Sequence, residues 1–317
     1  MIVALSGGIG GAKLALGLAR TLPAGELTVV VNTGDDFEHL GFAISPDVDT
    51  LTYVLAGLDD PVRGWGRRDE TWQFMKALGE VGGETWFSLG DQDLALHVER
   101  TRRLRAGEPL SAVTAAIASR LGIASRVLPM SDDPVRTEVA VDTGWIAFQE
   151  YFVRQRCAPA VRAIRYVGAD RARPAPGVIE SLAAPDLQAV VICPSNPWLS
   201  IDPILAVPGL RAALAAAPAP VLAVCPLVGG QAIKGPTAKL MDELGIARGI
   251  AAIGEHYADC IDTLVIDRID AGTPCPIPIA AADTVMKTAK DKESLARAVI
   301  AIADGMTVRG PGGRRRR

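Results

Sequence analysis

This 317-residue sequence lacks the clusters of histidine and cysteine that bind structural zinc. Its three histidines, at positions 39, 97 and 256, stand far apart, and none has cysteines nearby at zinc-ligand spacing. The five cysteines form no C-x-x-C pair and are odd in number. Together with the absence of a recognisable signal peptide, this predicts a cytoplasmic protein in a reducing compartment.

Long apolar runs and a strong excess of one charge are also missing. Charged residues, glycine or proline interrupt every apolar stretch, so no window of about 18 residues predicts a membrane span. The net charge of −3 argues against binding to nucleic acid or to a membrane surface. The expected partners are therefore small molecules, and the basic run at the C-terminus is predicted to be a disordered tail over residues 311–317.

The hydrophobic fraction of 49% is sufficient for a substantial core, and its distribution predicts an α/β fold. Residues 2–6 form an apolar run that ends in glycines, a helical pattern follows, and residues 27–31 form a second apolar run. This βαβ pattern returns with apolar runs at 189–193, 221–225 and 264–267. The sequence therefore predicts a Rossmann-like core built on a parallel sheet.

The middle of the chain has a different pattern. Helical periodicity is found near residues 50–56, 70–78, 94–104 and 111–121, and antiparallel strands are predicted at 137–141, 145–148 and 161–167. We find no flexible linker and no repeat. The prediction is one Rossmann-like domain over residues 1–310, with a mixed helical and antiparallel insertion, or cap, at about 50–175.

The glycine-rich turn after the first strand, S-G-G-I-G-G-A-K at residues 6–13, indicates phosphate binding. Glycines allow backbone N–H groups to approach a phosphate at the positive end of the following helix, and Lys13 can add charge. The pattern is not a Walker A motif, because Ala12 precedes the lysine, and it lacks the third glycine of a dinucleotide fingerprint. A tight strand-to-helix turn without a ligand is the alternative.

Aspartates follow several of the predicted strands. Residues 32–36 (N-T-G-D-D) come after the second strand, where they form either a ligand site or an ordinary solvated turn. Asp47 and Asp49 precede a helix, and because capping explains only one of them, magnesium or a substrate hydroxyl is the predicted partner. Asp91 and Asp93 either act in the site or cap the next helix.

Two later loops also carry polar groups. Pro194 and Pro197 frame Ser195 and Asn196 after an apolar strand, which indicates a rigid loop that orients a substrate. Lys234 follows a second glycine cluster and either reaches a phosphate or lies solvated. The polar turn at 129–134 is interpreted as structural. No G-x-S-x-G elbow or serine, histidine and aspartate cluster is present, so no covalent nucleophile is predicted.

Taken in order, these motifs resemble the 2-phospho-L-lactate transferase family, which completes the precursor of the deazaflavin coenzyme F420. The resemblance runs from residue 1 to about residue 304. It is carried by S-G-G-x-G at 6–10, V-N-T at 31–33, I-S-P-D-x-D-T at 44–50, L-G-D-x-D at 89–93, L-P-M-S-D-D at 128–133, P-S-N-P at 194–197 and K-G-P at 234–236.

The resemblance implies a Mg²⁺-dependent transfer from a GDP-activated donor to the ribityl hydroxyl of the deazaflavin Fo, with release of GMP. The group transferred is a phospholactyl, phosphoenolpyruvyl or 3-phosphoglyceryl group. By motif, the nucleotide would be bound by Gly7, Gly8, Gly10, Gly11, Lys13, Asn32 and Lys234. Fo would contact Asp49, Ser88, Met130, Ser195 and Asn196. Catalysis would use Asp47, Asp49 and Asp91, with Asp47 and Asp49 holding the metal.

Two positions depart from the family pattern, since Gln92 and Ser88 stand where members often carry basic residues. The apolar helices of the middle segment suggest a homodimer. A sugar-nucleotide-binding regulatory protein on a similar fold, without transferase activity, is the alternative function. The pair of Asp47 and Asp49 and the loop at 194–197 favour the transferase.

Overall fold

A computed structural model gives the structure of this chain and describes residues 1–233 and 235–306. Lys234 and the predicted basic tail at 311–317 lie outside these residues. The strands within them are β1 (Ile2–Ser6), β2 (Leu27–Val31), β3 (Phe37–His39), β4 (Phe42–Ile44), β5 (Arg126–Pro129), β6 (Arg136–Val141), β7 (Gly144–Ala147), β8 (Ala163–Val167), β9 (Ala189–Ile192), β10 (Val221–Val224), β11 (Leu227–Val228), β12 (Gln231–Ala232), β13 (Thr263–Asp267) and β14 (Ile279–Ala282).

The α-helices of the same residues are α1 (Gly8–Thr21), α2 (Pro46–Ala56), α3 (Gln73–Glu80), α4 (Asp91–Arg105), α5 (Leu110–Arg120), α6 (Val178–Leu182), α7 (Asp202–Leu205), α8 (Leu210–Ala215), α9 (Thr237–Glu243), α10 (Ile250–Tyr257) and α11 (Ala289–Asp304). Two short π-helices occur at Glu150–Arg154 and Pro197–Ile201, and two 3₁₀ turns at Ala169–Arg171 and Arg268–Asp270. None of the helices in the described part of the chain is long and apolar enough to cross a membrane.

Seven parallel strands form the central sheet, in the order β14, β13, β10, β9, β1, β2, β5. The strands β1, β2, β9 and β10 are buried along their whole length, as expected for a parallel sheet covered on both faces. One apolar core packs α1, α2 and α11 against one face, and the other core packs α6, α8 and α10 against the opposite face. The predicted α/β Rossmann-like fold is confirmed.

The small antiparallel sheet of the middle segment has the order β7, β6, β8, as the alternating pattern predicts. The strand β5 lies within the predicted insertion range but pairs with β2 at the edge of the large sheet. The segment from 50 to 175 is thus divided, with helices before β5 and the antiparallel sheet after it. The proposed domain limits stay a prediction.

The order of the strands creates a reversal next to β1. From β1 the chain adds β2 and then β5 on one side, whereas β9, β10, β13 and β14 are added on the other side. In open α/β sheets, ligands bind outside the carboxyl ends of the strands at such a reversal. The topology therefore predicts a ligand site formed by the residues that follow β1 and β9.

The contact between α1 and α11 depends on a glycine in the middle of α1. A Cβ atom at Gly17 would lie 2.1 Å from the carbonyl oxygen of Lys292 and 3.3 Å from the Cβ of Ala296. The first of these atoms belongs to the backbone of α11 and cannot move aside by a rotamer change. Gly17 thus permits the close packing that covers this face of the sheet.

We expect Gly17→Ala to lower the free energy of unfolding by roughly 1–3 kcal/mol, because it forces α11 away from α1. Urea denaturation of wild type and variant measures the difference. Gly79→Ala is the matched control, since it also lies in a helix but its Cβ would meet only Thr85 Cγ2, at 3.6 Å. That control should be neutral or stabilising, and equal effects at the two positions would contradict the packing argument.

Candidate functional site

A cavity of about 570 Å³ opens at the carboxyl edge of the central sheet, where the strand order reverses. Loops that follow five of the seven strands contribute to its wall. The residues from these loops are Gly7, Gly8, Ile9 and Gly10 after β1, Asp35 after β2, Pro194, Ser195 and Asn196 after β9, Cys225 and Pro226 after β10, and Thr284 and Met286 after β14. The cavity therefore occupies the position that the topology predicts for a ligand.

The glycine turn lies directly against the loop that follows β9. A Cβ atom at Gly10 would be 2.3 Å from the carbonyl oxygen of Pro194, and one at Gly7 would be 2.6 Å from the Cβ of Ser200. Gly8 has a φ of +65°, a conformation that favours glycine. Backbone at this turn can thus approach a ligand where any side chain would collide with the opposite loop.

The N-terminus of α1 directs its N–H groups to the part of the cavity that the glycine turn lines. Gly7 N–H donates to Ser195 Oγ at 3.2 Å, and Gly8 N–H donates to Asp47 Oδ1 at 2.7 Å. Lys13 lines the cavity one turn further along, where its Nζ donates to the carbonyl oxygen of Met286 at 3.1 Å. Gly11 is buried beside the hydroxyls of Ser6 and Ser195 and does not line the cavity.

Asn32 is fully buried and holds Asp47 from behind the cavity wall. Its Nδ2 donates to Asp47 Oδ2 at 2.9 Å, while its Oδ1 accepts the N–H of Gly34 at 2.7 Å. Asp47 is therefore fixed by the backbone of α1 on one oxygen and by Asn32 on the other. Asn32 orients a carboxylate of the site and does not reach the cavity itself.

Asp49, like Asp47, lies in the first turn of α2, and its carboxylate is paired with a buried arginine. Arg100 Nη1 donates to Asp49 Oδ2 at 3.0 Å, and Arg100 Nη2 donates to Oδ1 of the same carboxylate. His97 Nδ1 lies 3.7 Å from Asp49 Oδ2, and His97 Nε2 lies 3.1 Å from Asp93 Oδ2. Sequence reasoning missed Arg100 and His97, because no local motif connects α4 with α2.

Asp35 is a cavity-lining carboxylate that the sequence analysis did not select from the N-T-G-D-D segment. It is 4% exposed, and its Oδ1 has no hydrogen-bond partner within the described residues. Burial, followed by repulsion from Asp47 and Asp36, raises the pKa of Asp35 well above its usual range. Its place at the end of β2, beside a phosphate turn, was the signal that could have identified it.

The cluster of Asp35, Asp36, Asp47 and Asp49 is buried, and this burial disfavours the ionised carboxylates. Burial raises the pKa of Asp36 to about 7 and that of Asp47 to about 6, and hydrogen bonds or arginines only partly oppose this effect. The guanidinium groups of Arg100 and Arg136 lower the pKa of Asp36. A divalent cation bound beside the cluster would favour the ionised forms in the same way.

A magnesium ion fits this donor set. No group of three or more acidic, histidine or cysteine side chains within residues 1–233 and 235–306 is arranged to enclose a metal. Mg²⁺ does not need such an enclosure, because it retains several waters and binds through one or two carboxylates plus substrate phosphates. Asp35 and Asp47, which line the cavity, are the carboxylates best placed for it, because Asp47 accepts only from the neutral donors Gly8 N–H and Asn32 Nδ2, whereas Asp49 is already paired with the Arg100 cation.

The two ends of the cavity have different linings. One part of the wall, the aromatic end, is formed by aromatic residues of the middle segment, namely Tyr53, Trp65, Phe87, Phe148 and Phe152. Another part, the aliphatic end, includes Pro226, Ile233, Pro236 and Met286. The glycine turn and the carboxylates of Asp35, Asp47 and Asp49 line the same cavity.

Ser88, Ser195 and Asn196, all predicted to contact Fo, line this cavity. Asn196 is largely committed to the fold, because its Oδ1 accepts the N–H groups of Trp198 and Leu199 at 3.0 Å and its Nδ2 donates to Thr237 Oγ1 at 3.0 Å. It caps the π-helix that carries Ser200 to the glycine turn. Short π-helices are frequent at functional sites.

Asp91 and Met130 are two further predicted site residues that do not line the cavity. Asp91 accepts N–H groups from Gln73 and Phe74, at 3.1 and 3.0 Å, and the hydroxyl of Thr71, and thus holds the start of α3. In return Glu70 accepts the N–H groups of Gln92 and Asp93 at the start of α4, both at 2.8 Å. Met130 is fully buried in the apolar core. Lys234 is outside the described residues.

The chain is similar over most of its length to a set of transferases. The family model described as 2-phospho-L-lactate transferase CofD matches residues 2–304. A phosphoenolpyruvate transferase of Streptomyces avermitilis is 42% identical over 316 residues, covering 94% of this chain and 98% of the relative. Phosphoenolpyruvate transferases of Streptomyces griseus and Mycolicibacterium smegmatis are 43% and 40% identical, over 86% and 84% of this chain and 86% of each relative.

Among solved structures, protein BH3568 from Bacillus halodurans has a similar fold. The TM-score is 0.61 at 16% sequence identity, and the match covers 94% of this chain and 98% of that chain. At this identity the likeness concerns the fold alone.

The raised pKa of Asp36 makes a prediction about stability. Because this pKa is higher in the folded protein than in the unfolded chain, folding is favoured at low pH and that advantage is lost as the pH rises through about 7. Without divalent cations, we expect Asp36→Asn to be more stable than wild type by about 1–3 kcal/mol at about pH 8, and to show a weaker decline with pH.

Urea denaturation at a series of pH values in the presence of a chelator measures this effect. The asparagine Oδ1 can still accept the hydroxyl of Ser45, which donates to Asp36 Oδ2 at 2.9 Å in the wild type. Asp283→Asn, at an exposed position, is the control and should follow the wild-type curve. A less stable Asp36→Asn protein at alkaline pH would show instead that the ionised carboxylate stabilises the fold.

Proposed function

The chain belongs to the 2-phospho-L-lactate transferase family of F420 biosynthesis, and from this premise we propose which molecules it joins. The donor is a three-carbon acid activated as a GDP diester, and the acceptor is 7,8-didemethyl-8-hydroxy-5-deazariboflavin, Fo. Among the donors, we propose the phosphoenolpyruvyl compound first, because relatives that are 42% identical over 94% of this chain bear that name. The phospholactyl and 3-phosphoglyceryl donors are the alternatives.

The observation that carries the proposal is the single cavity that joins a phosphate-binding turn, a carboxylate cluster and an aromatic wall. The donor diphosphate would lie on the N-terminus of α1, where the N–H groups of Ile9 and Gly10 and the Nζ of Lys13 can bind its oxygens. The guanosine would extend towards the aliphatic end. The planar deazaflavin would lie against the aromatic end, with its ribityl chain directed to the carboxylates.

The reaction forms one P–O bond and breaks another. The ribityl oxygen attacks the phosphorus atom that bears the three-carbon acid, the bridging oxygen leaves with GMP and its electron pair, and the hydroxyl proton passes to solvent water. Such a transfer depends mainly on alignment and charge stabilisation and needs no covalent enzyme intermediate. Asp49 would accept the hydrogen bond of the attacking hydroxyl and so orient it, while the first turn of α1 fixes the donor.

Magnesium would be held by Asp35 and Asp47, and when bound it would neutralise charge on the diphosphate oxygens. Asp47 shares the N-terminus of α1 with the proposed diphosphate, so two negative groups would otherwise compete there. The sequence analysis placed the metal on Asp47 and Asp49. The contacts of Arg100 favour Asp35 in place of Asp49.

We expect the purified protein, mixed with Fo, MgCl₂ and each of the three GDP-activated acids in turn, to form the phosphodiester product and GMP. Liquid chromatography with mass detection measures both products, and competition between donors gives the ratio of their kcat/KM values. A chelator should abolish turnover, and readdition of Mg²⁺ should restore it. Binding of guanine nucleotide without turnover of any donor would support a nucleotide-binding regulatory protein and contradict the proposal.

Asp35→Asn should lower kcat by about 10²–10³-fold, because the neutral amide cannot hold a metal against the diphosphate. Asp91→Asn is the informative comparison, since the resemblance makes Asp91 catalytic whereas its contacts cap α3. From these contacts we expect it to lose stability and to retain kcat within about threefold. Steady-state kinetics on both variants, with melting curves as the folding check, distinguish the roles. Normal turnover by Asp35→Asn would exclude it from the metal site.

A further inference from the structure

Arg100 is a buried cation in the middle of α4, with 2% of its surface exposed. Its guanidinium group makes a two-pronged contact with Asp49, lies 3.4 Å from the carbonyl oxygen of Ala43 and approaches His97 Nδ1 at 3.5 Å. Removing a guanidinium group from water is costly, and apolar packing often replaces such a buried pair without loss of stability. The stability of the fold therefore does not by itself explain why a charged pair occupies this position.

The spacing of residues on two helices explains how the pair is formed. Asp93, His97 and Arg100 occupy positions i, i+4 and i+7 of α4 and so share one face, opposite Asp49 and Tyr53 at i and i+4 of α2. Tyr53 Oη donates to Asp93 Oδ1, which completes a ladder of contacts between the helices. Asp49, Tyr53, Asp93 and His97 line the cavity, and Arg100 lies behind them.

We propose that Arg100 is a positioning residue that holds the Asp49 carboxylate, through its two-pronged contact, in the orientation needed to receive the acceptor hydroxyl. The inference rests on the proposed function and extends it to a residue that does not touch either substrate. A carboxylate on a helix can otherwise rotate about χ1 and χ2. The forked guanidinium prevents this rotation, whereas a lysine at the same place would supply only a point charge.

The contact between Arg100 and Asp49 also distinguishes Asp49 from the neighbouring carboxylates. Both oxygens of Asp47 and both of Asp49 already accept hydrogen bonds from the protein, whereas Asp35 Oδ1 does not within the described residues. Arg100 thereby keeps the Asp49 carboxylate paired on the acceptor side of the cluster. It also limits the negative charge next to the donor diphosphate.

Kinetics of Arg100→Lys and Arg100→Met test this role, with Arg103→Met as the matched control. Arg103 lies on the same helix and also pairs with a carboxylate, that of Glu108. Unlike Asp49, Glu108 does not line the cavity. We expect Arg100→Met to lose about 10²-fold in kcat, because a small misplacement of an aligning group has an effect of this size. Arg100→Lys should retain an intermediate kcat. The KM values for donor and Fo should change by less than about threefold in each variant.

A double-mutant cycle with Asp49→Asn shows whether Arg100 acts through Asp49. In the Asp49→Asn background, Arg100→Met should cause no further loss of kcat, and the double variant does not leave the charge of Asp49 unpaired. Equal losses of kcat in the two backgrounds would overturn the proposal. So would a normal kcat for folded Arg100→Lys and Arg100→Met with only a lower melting temperature, which would show a structural role.

A crystal structure of the Arg100→Met variant, or of Arg100→Lys where the first does not fold, gives a reading that does not depend on turnover. We expect the Asp49 carboxylate to leave its wild-type position. An unchanged Asp49 would overturn the inference even in an active enzyme. Absence of turnover in the wild type, with Asp49 displaced in the variant, would contradict the proposed function and leave the positioning role of Arg100 supported.

Discussion

The burial of four carboxylates at one edge of the central sheet is the constraint on which the rest of the site depends. Desolvation raises the pKa values of Asp35, Asp36 and Asp47, and repulsion from neighbouring aspartates adds to this effect at Asp35 and Asp36, so the ionised cluster is unfavourable in the protein alone. A chain selected only for stability would replace such a cluster with apolar residues. Its presence beside the glycine turn is explained if a bound cation neutralises the carboxylates together with an anionic substrate.

The sheet topology supplies the geometry that this cluster needs. The reversal of strand order next to β1 places the glycine turn and the loop after β9 side by side, and the glycines allow them to approach within contact distance. Asp47 is fixed to the first turn of α1 and to Asn32 at the end of β2. The glycine turn and the carboxylates are thus positioned by the same buried strands.

Local sequence patterns predicted the parts of the molecule that depend on neighbouring residues. The buried strands, the glycine turn and the antiparallel sheet all have a short-range signature, and all were predicted. The strand β5 has only two consecutive apolar residues before its proline and begins with an exposed arginine, so its pattern was not distinctive enough to assign. Arg100 and Asp49 are 51 residues apart, and Asp91 has the same local pattern whether it caps a helix or acts in catalysis. Those distinctions depend on tertiary contacts that periodicity does not contain.

The two parts of the fold contribute different properties to the cavity. The central sheet supplies the glycine turn, Asp35 and the loop after β9, whereas the segments on either side of β5 supply the aromatic wall. The helices of that wall are fastened by reciprocal contacts, since Asp91 holds the start of α3 and Glu70 holds the start of α4. Gln92 adds to this connection, because its Oε1 accepts from Arg67 Nη2 and its Nε2 donates to the carbonyl oxygen of Asp69. Arg67 directly follows Trp65 and Gly66, which line the cavity. Changes at position 92 are therefore expected to act on the shape of the aromatic end, where we propose that the acceptor binds, and not on the glycine turn.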